Sequence, residues 1–155
     1  RLQDTLGLTG TETAQHAGLA MMASAACSLF MQMLIAQRFN GPPVQLVRWG
    51  AGLLAIGTIS ISALDSWTAI LSCMALIGAG LGLLLPAVAA GASLAVGPEE
   101  QGGVSGLVSA CPAAGFVLGP ISGGFLYQQN GPEAAWGAAL ILVVVFLSTL
   151  RPMRQ

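Results

Sequence analysis

The chain offers chemistry little to work with. Its 155 residues include one histidine (His16), three cysteines (Cys27, Cys73, Cys111), five arginines and six acids, with no lysine. Covalent catalysis needs a nucleophile beside a base, and metal chemistry needs converging ligands. The cysteines stand singly inside apolar runs without a C-x-x-C spacing and read as inert buried thiols. Glu99 and Glu100 are adjacent and could be taken for an acid/base pair. Neighbouring residues on a turn point apart, however, and Pro98 followed by acids is what a helix N-terminus favours. A helix start is the reading that wins. No catalytic residue, metal site or cofactor is expected.

Polar groups inside apolar runs are the next candidates. Gln32 is the amide set deepest, with Ser24, Cys27, Ser28 and Met31 near it on the helical period. Polar side chains at membrane depth face a bundle interior or a wet cavity. Gln32 is therefore either an interhelical hydrogen-bond partner or a substrate contact. His16 could sense pH, but at an interface with no partner visible in the sequence it reads as incidental.

These residues sit in a chain built for lipid. It is 55% hydrophobic and 7% charged, against about 25% charged in an average soluble domain. The charges fall at segment ends and in connections. A net charge of -1 without a basic run gives no footing for nucleic acid. An all-α membrane protein of five spans is expected, at about 14–37, 44–64, 67–96, 102–127 and 133–150. Residues 1–13 read as an external polar loop, with Thr11 or Thr13 capping the first span. The polar start lacks a signal-peptide pattern, and without an initiating Met the chain reads as a fragment.

Two spans carry helix breakers. In the third, Gly78, Gly80 and Gly82 precede Pro86, whose missing N–H frees the carbonyl of Gly82. Helices interrupted this way border substrate sites in transporters, while a static packing kink is the other reading. The fourth, GGVSGLVSACPAAGFVLGPISGGFLY, aligns Gly102, Gly106, Ala110 and Ala114 on one line and Gly115, Gly119 and Gly123 on another. Small residues at that spacing let a neighbouring helix approach closely. Pro112 and Pro120 should bend the helix. The last span reads ALILVVVFLS from Ala138, apolar all round, and should face lipid.

Alternation of five crossings puts Arg38, Arg48, Arg151 and Arg154 on one side, opposite Arg1. The positive-inside rule makes that side cytoplasmic, with the N-terminus outside and the C-terminus inside an inner or plasma membrane.

The run from Gly78 to Tyr127, GAGLGLLLPAVAAGASLAVGPEEQGGVSGLVSACPAAGFVLGPISGGFLY, resembles the tenth and eleventh helices of major facilitator superfamily transporters. It is most similar to the multidrug and tetracycline type of proton-driven exporter. The Gly-x-Gly-x-Gly-x-x-x-Pro helix, the Pro-Glu-Glu-x-Gly loop and the Gly-Pro-x-x-Gly-Gly bend at Gly119 carry the likeness. It implies a twelve-helix fold of two six-helix halves with substrate near the midplane. The chain would be the C-terminal half, from the end of the seventh helix, working with a missing N-terminal half. Trp67–Val96 would line the cavity, and the first and fourth spans would flank it and move. Gln32, Ser72, Gly82 and Pro86 become the candidate substrate pathway, and Gly106, Gly115, Gly119, Pro120 and Gly123 the packing and hinge set. Arg38 would be the loop residue after the eighth helix.

Two departures from the pattern matter. Gln37-Arg38-Phe39-Asn40 keeps the family's Arg and loses its acid, and Gln101 replaces the Arg that usually follows Pro-Glu-Glu. No carboxylate lies deep in a span, so a coupling proton would be carried in the absent half. The implied partners are a small organic substrate, a proton and the bilayer. The competing expectation is a non-transporting membrane subunit that binds partner helices through its Gly/Ala faces.

Overall fold

The computed structural model describes residues 9–64 and 66–130, with six further residues between 137 and 147, all helical. Four helices follow one another: α1 (Gly10–Met31), continued by a short π-helix (Gln32–Ala36), α2 (Pro43–Ala63), α3 (Trp67–Leu94) and α4 (Gln101–Asn130). Each is long and apolar enough to cross a membrane. The fifth expected span, 133–150, lies outside the described residues apart from isolated helical positions.

Local chemistry explains the ends. α1 starts at Gly10, earlier than expected, because Thr9 and Glu12 form a capping box. The Glu12 amide donates to Thr9 Oγ1 at 3.4 Å, and the Thr9 amide donates to the Glu12 carboxylate at 2.9 Å. Two orphan amides are thus satisfied reciprocally. Thr11 and Thr13 are not the cap. Thr13 lies within the helix and donates its hydroxyl to the Thr9 carbonyl at 2.8 Å. Residues 10–13, expected in a loop, are therefore helical. Pro43 opens α2 at a position where its missing N–H costs nothing. Ser66 caps α3 by accepting from the Ala69 amide at 3.3 Å. Before α4, the Glu100 amide donates to Gly97 and the Glu100 carbonyl accepts from Val104, so the acid pair does open a helix.

α3 is the centre of the assembly, touching α1 on one side and α2 on the other. Its glycines do not break it, since the helix runs unbroken from Trp67 to Leu94 through Gly78, Gly80, Gly82 and Pro86. They serve close approach on both flanks. At about 100° per residue, Gly78 and Gly82 share one side, while Gly80 lies nearly opposite. A Cβ at Gly78 would collide with the Ser24 carbonyl of α1, and one at Gly82 with the Ser28 carbonyl. A Cβ at Gly80 would lie 2.8 Å from the Gly50 carbonyl oxygen of α2, and one at Gly50 2.7 Å from the Gly80 carbonyl oxygen. Ser24 and Ser28 pair in order with Gly78 and Gly82, whereas Gly50 and Gly57 pair in reverse order with Gly80 and Ile77, so α1 runs parallel and α2 antiparallel to α3.

The apolar core lies between α2 and α3. Leu46, Leu83 and Ala87 are buried, with Met31, Phe39, Val47 and Leu53 packed around them. Outside this seam the surfaces are apolar and exposed, as at Met21, Met22, Leu29 and Phe30 on α1. A surface of that kind suits lipid tails.

α4 adheres by a narrow strip. It meets α3 through few residues, and its partly shielded side chains are Val104, Val108 and Pro112, four residues apart, and Tyr127 near its end. The small-residue lines read from the sequence lie elsewhere on the helix. Gly102, Gly106, Gly115, Gly119 and Gly123 would each accept a Cβ with nothing within 4 Å among the described residues. Phe116 is 83% exposed. The helix is continuous through Pro112 and Pro120.

Two alanine substitutions separate the glycines. Gly78→Ala places a methyl group on the Ser24 carbonyl and is expected to cost about 1–3 kcal/mol. Gly91→Ala meets only Pro43 Cβ at 3.8 Å and should be neutral or stabilise by up to about 1 kcal/mol through helix propensity. Thermal unfolding of the two variants in detergent checks the pair. Equal melting temperatures would show that the α1–α3 approach is not close.

Candidate functional site

The α1–α3 seam is a single line of residues. On α1 it runs His16, Ala20, Ser24, Ser28 and Gln32, each one turn further on. Ala20 is 4% exposed. Opposite it, α3 presents Gly78, Gly82 and then Pro86. The sequence pathway residues Gln32, Gly82 and Pro86 therefore converge on one end of this seam.

Ser28 joins two of them. Its backbone carbonyl faces Gly82, and its hydroxyl accepts from Gln32 Nε2 at 3.2 Å. Among the described residues the Gln32 partner is thus on its own helix, where one reading of the sequence expected a neighbouring one. The two residues are four apart, which brings side chains together on one helix face. Gln32 is also where α1 widens. Its backbone carbonyl accepts from the Gln37 amide, five residues on, at 3.1 Å. Short π-helical insertions of this type occur often at functional sites, where they re-aim side chains. No feature of the sequence marked it.

Ser72 stands apart. It is exposed, and its hydroxyl donates to the Thr68 carbonyl at 2.9 Å. Ten residues separate it from Gly82, about 15 Å along the helix axis. The structure does not bring it to the Gln32 end.

Beyond Gly82, Pro86 removes the amide that would bond the Gly82 carbonyl. Its ring instead lines a half-open crevice of about 110 Å³ with Phe39, Pro43, Leu46, Ala87 and Ala90. Phe39 shapes this end. Its ring stands edge-on to Trp49 at 5.4 Å and against Gly41. Arg38, beside it, is exposed in the turn after the π-helix. Phe39 entered the sequence reading only as a loop neighbour of Arg38. An aromatic next to a turn, with Trp49 ten residues away, was the available signal.

Gly106, Gly115, Gly119, Pro120 and Gly123 lie on α4, away from this cluster and exposed. Ser122 donates its hydroxyl to the Leu118 carbonyl at 2.7 Å, one turn back on the same helix.

A bundle of apolar helices packed backbone to backbone, with one amide and one proline at the end of its seam, has no nucleophile–base arrangement within the described cluster. A comparison with protein families decides the class: the model of the Major Facilitator Superfamily matches residues 1–154. The chain belongs to the Major Facilitator Superfamily. This family consists generally of membrane transporters rather than enzymes, and membership agrees with the four apolar helices. As a member of the superfamily, the chain is an integral membrane protein of a transporter family. No curated protein matches it.

The Phe39 end can be tested by truncation. Phe39→Ala is expected to lower stability by about 1–2 kcal/mol, since the ring is half-buried and paired edge-on with Trp49. Phe39→Leu should lose less. The measurement is thermal unfolding in detergent with Trp emission as the signal. A melting temperature unmoved by Phe39→Ala would show that the turn does not rest on the ring.

Proposed function

We propose that the chain forms the C-terminal half of a two-halved, twelve-helix secondary transporter that exports small organic molecules by alternating access. The observation that carries this reading is the pair of backbone contacts at Gly78–Ser24 and Gly82–Ser28, in a chain of this superfamily. Helices joined through glycine and carbonyl groups have few side chains to repack when one rocks against another. The seam they form ends at Gln32, the π-helix and Pro86. That is where a hydrogen-bonding group and a weakened helix turn coincide.

In this reading Gln32 offers its amide to the substrate, and Gly82 and Pro86 shape the wall of the pathway. Ser72 would act at a separate, outer level. Arg38 and Arg48 mark the cytoplasmic side, so Thr9 and Ser66 lie at the outer face. The uncovered small residues of α4, Gly106, Gly115, Gly119 and Gly123, meet a helix of the N-terminal half, with Pro120 as a hinge. The titrating carboxylate for proton coupling belongs to that half, since the acids of this chain lie at segment ends. The open face of α4 also suits a non-transporting subunit that holds a partner helix.

Flux measurements on the full-length protein in proteoliposomes, with a panel of lipophilic cations and neutral drugs, discriminate these readings. Gln32→Leu should raise KM about 3- to 10-fold, the worth of one hydrogen bond, with turnover little changed. Gly119→Leu should abolish flux while membrane insertion persists. Flux that is absent in the wild type, together with a foreign protein cross-linked along α4, would favour the subunit. Flux unchanged by Gly119→Leu would count against the packing role of that face.

A further inference from the structure

The crevice between α2 and α3 shares Pro86 with the proposed pathway and otherwise takes no part in it. Leu46 and Ala87 form its floor, 6% and 2% exposed. Phe39, Pro43 and Pro86 are its half-buried walls, and Ala90 is on its exposed rim. The volume is about 110 Å³. Pockets for drug-sized molecules run to about 300–1,000 Å³, whereas an apolar cavity of about 150 Å³ holds benzene. The crevice therefore takes a few methylene groups and not a transported drug. None of its lining side chains is polar, and a bound water needs about two to four polar partners. An apolar wall left bare forfeits its dispersion contacts, so apolar matter from the surroundings is the fitting occupant.

Depth says which matter that is. α3 has 28 residues, about 42 Å at a rise of about 1.5 Å each. That length spans a bilayer from headgroup to headgroup, about 40–45 Å. Ala90, Ala87 and Pro86 lie four, seven and eight residues before Leu94, about 6–12 Å from that helix end. Acyl chains begin at this depth, since each headgroup layer is about 5–8 Å thick. The mouth also continues onto apolar surface. Phe39 stands edge-on to Trp49, and Trp49 and Ile56, two turns apart on α2, are both exposed.

We propose that the crevice seats the upper methylenes of one phospholipid acyl chain, with the lipid phosphate held by Arg38. Arg38 is exposed one residue before Phe39, at the headgroup level, and a guanidinium pairs well with phosphate. The other described charges at this end are Arg48 on α2, and Glu99 and Glu100 beyond the end of α3. The seat is preformed. Most of its lining is Gly, Ala or Pro, whose side chains lose no rotamer freedom when covered. A chain that enters therefore orders little besides itself.

The test uses the full-length protein in detergent, titrated with dioleoylphosphatidylglycerol carrying a diazirine near the acyl carbonyl. Native mass spectrometry counts the lipids retained, and peptide mapping after illumination locates the adduct. We expect one retained lipid, cross-linked within residues 39–46 and 86–90. Ala90→Leu closes the mouth and should remove both the retained lipid and the adduct. Because Ala90 is exposed, its melting temperature without lipid should match the wild type. Arg38→Gln should keep the adduct in place but require about tenfold more lipid, the worth of one charge-assisted hydrogen bond. Dioleoylglycerol, which lacks the phosphate, should bind the wild type with the same weakness, and inorganic phosphate should not displace the lipid. Adducts spread evenly over the helices, or unaffected by Ala90→Leu, overturn the seat. So does a protein segment cross-linked into the crevice in place of lipid. Binding equally tight in Arg38→Gln overturns the assignment of the phosphate. None of these outcomes depends on whether flux is found.

Discussion

The structure depends on how closely backbones can approach across α3. In lipid, association gains nothing from burying apolar surface, because the tails are as apolar as the side chains. What remains is contact, and contact grows as the distance between helix axes falls. Gly78 and Gly82 bring α3 onto the carbonyls of Ser24 and Ser28, and Gly80 brings it onto Gly50. The spacing of two residues within Gly78-x-Gly80-x-Gly82 lets one short segment serve two neighbours. A glycine repeat of four alone would have served one.

That arrangement constrains where polarity can go. With Ser24 and Ser28 carbonyls pressed against glycine, the only α1 side chain at the far end of the line with an amide is Gln32. Its hydrogen bond to Ser28 ties the amide to the same residue that meets Gly82. The π-helix begins at that point, so the regular ladder ends where the close contact ends. Pro86 on α3 weakens the facing helix one turn further on. Rigid packing above and two loosened turns below are properties of one seam.

Much of this was legible in the sequence, and for a physical reason. Hydrocarbon forces backbone groups to bond internally, so four long apolar runs had to be helices, and proline and glycine could not dissolve them. The boundaries at Pro43 and Trp67 follow from turn and cap residues that act locally. The start of α1 was misplaced because Thr9, Thr11 and Thr13 all qualify as caps. Only the reach of Glu12 back to Thr9 decides among them. The glycines of α3 were read as flexibility because periodicity does not show what lies opposite a residue. Their role depends on Ser24, Ser28 and Gly50, about 30 to 50 residues away in the chain. The edge-on contact of His16 with Trp67, ring centroids 4.4 Å apart, is hidden for the same reason. Gln32 was singled out by depth, and its hydrogen bond to Ser28 on its own helix was not weighed.

α4 shows the limit of small-residue patterns from the other direction. Its stripe is richer in glycine than that of α3, yet the side chains it partly shields are Val104, Val108 and Pro112, with Tyr127 near its end. A side chain as large as valine keeps two helices apart, and the contact is correspondingly thin. Glycine permits a close approach but does not create one. The approach also needs a neighbour whose own surface is flat at the same spacing. On α1 the Ser24–Ser28 repeat matches Gly78–Gly82 step for step, and on α2 Gly50 matches Gly80. Among the described residues nothing offers α4 a second such repeat. The same residue type is therefore a structural contact in α3 and an uncovered surface in α4.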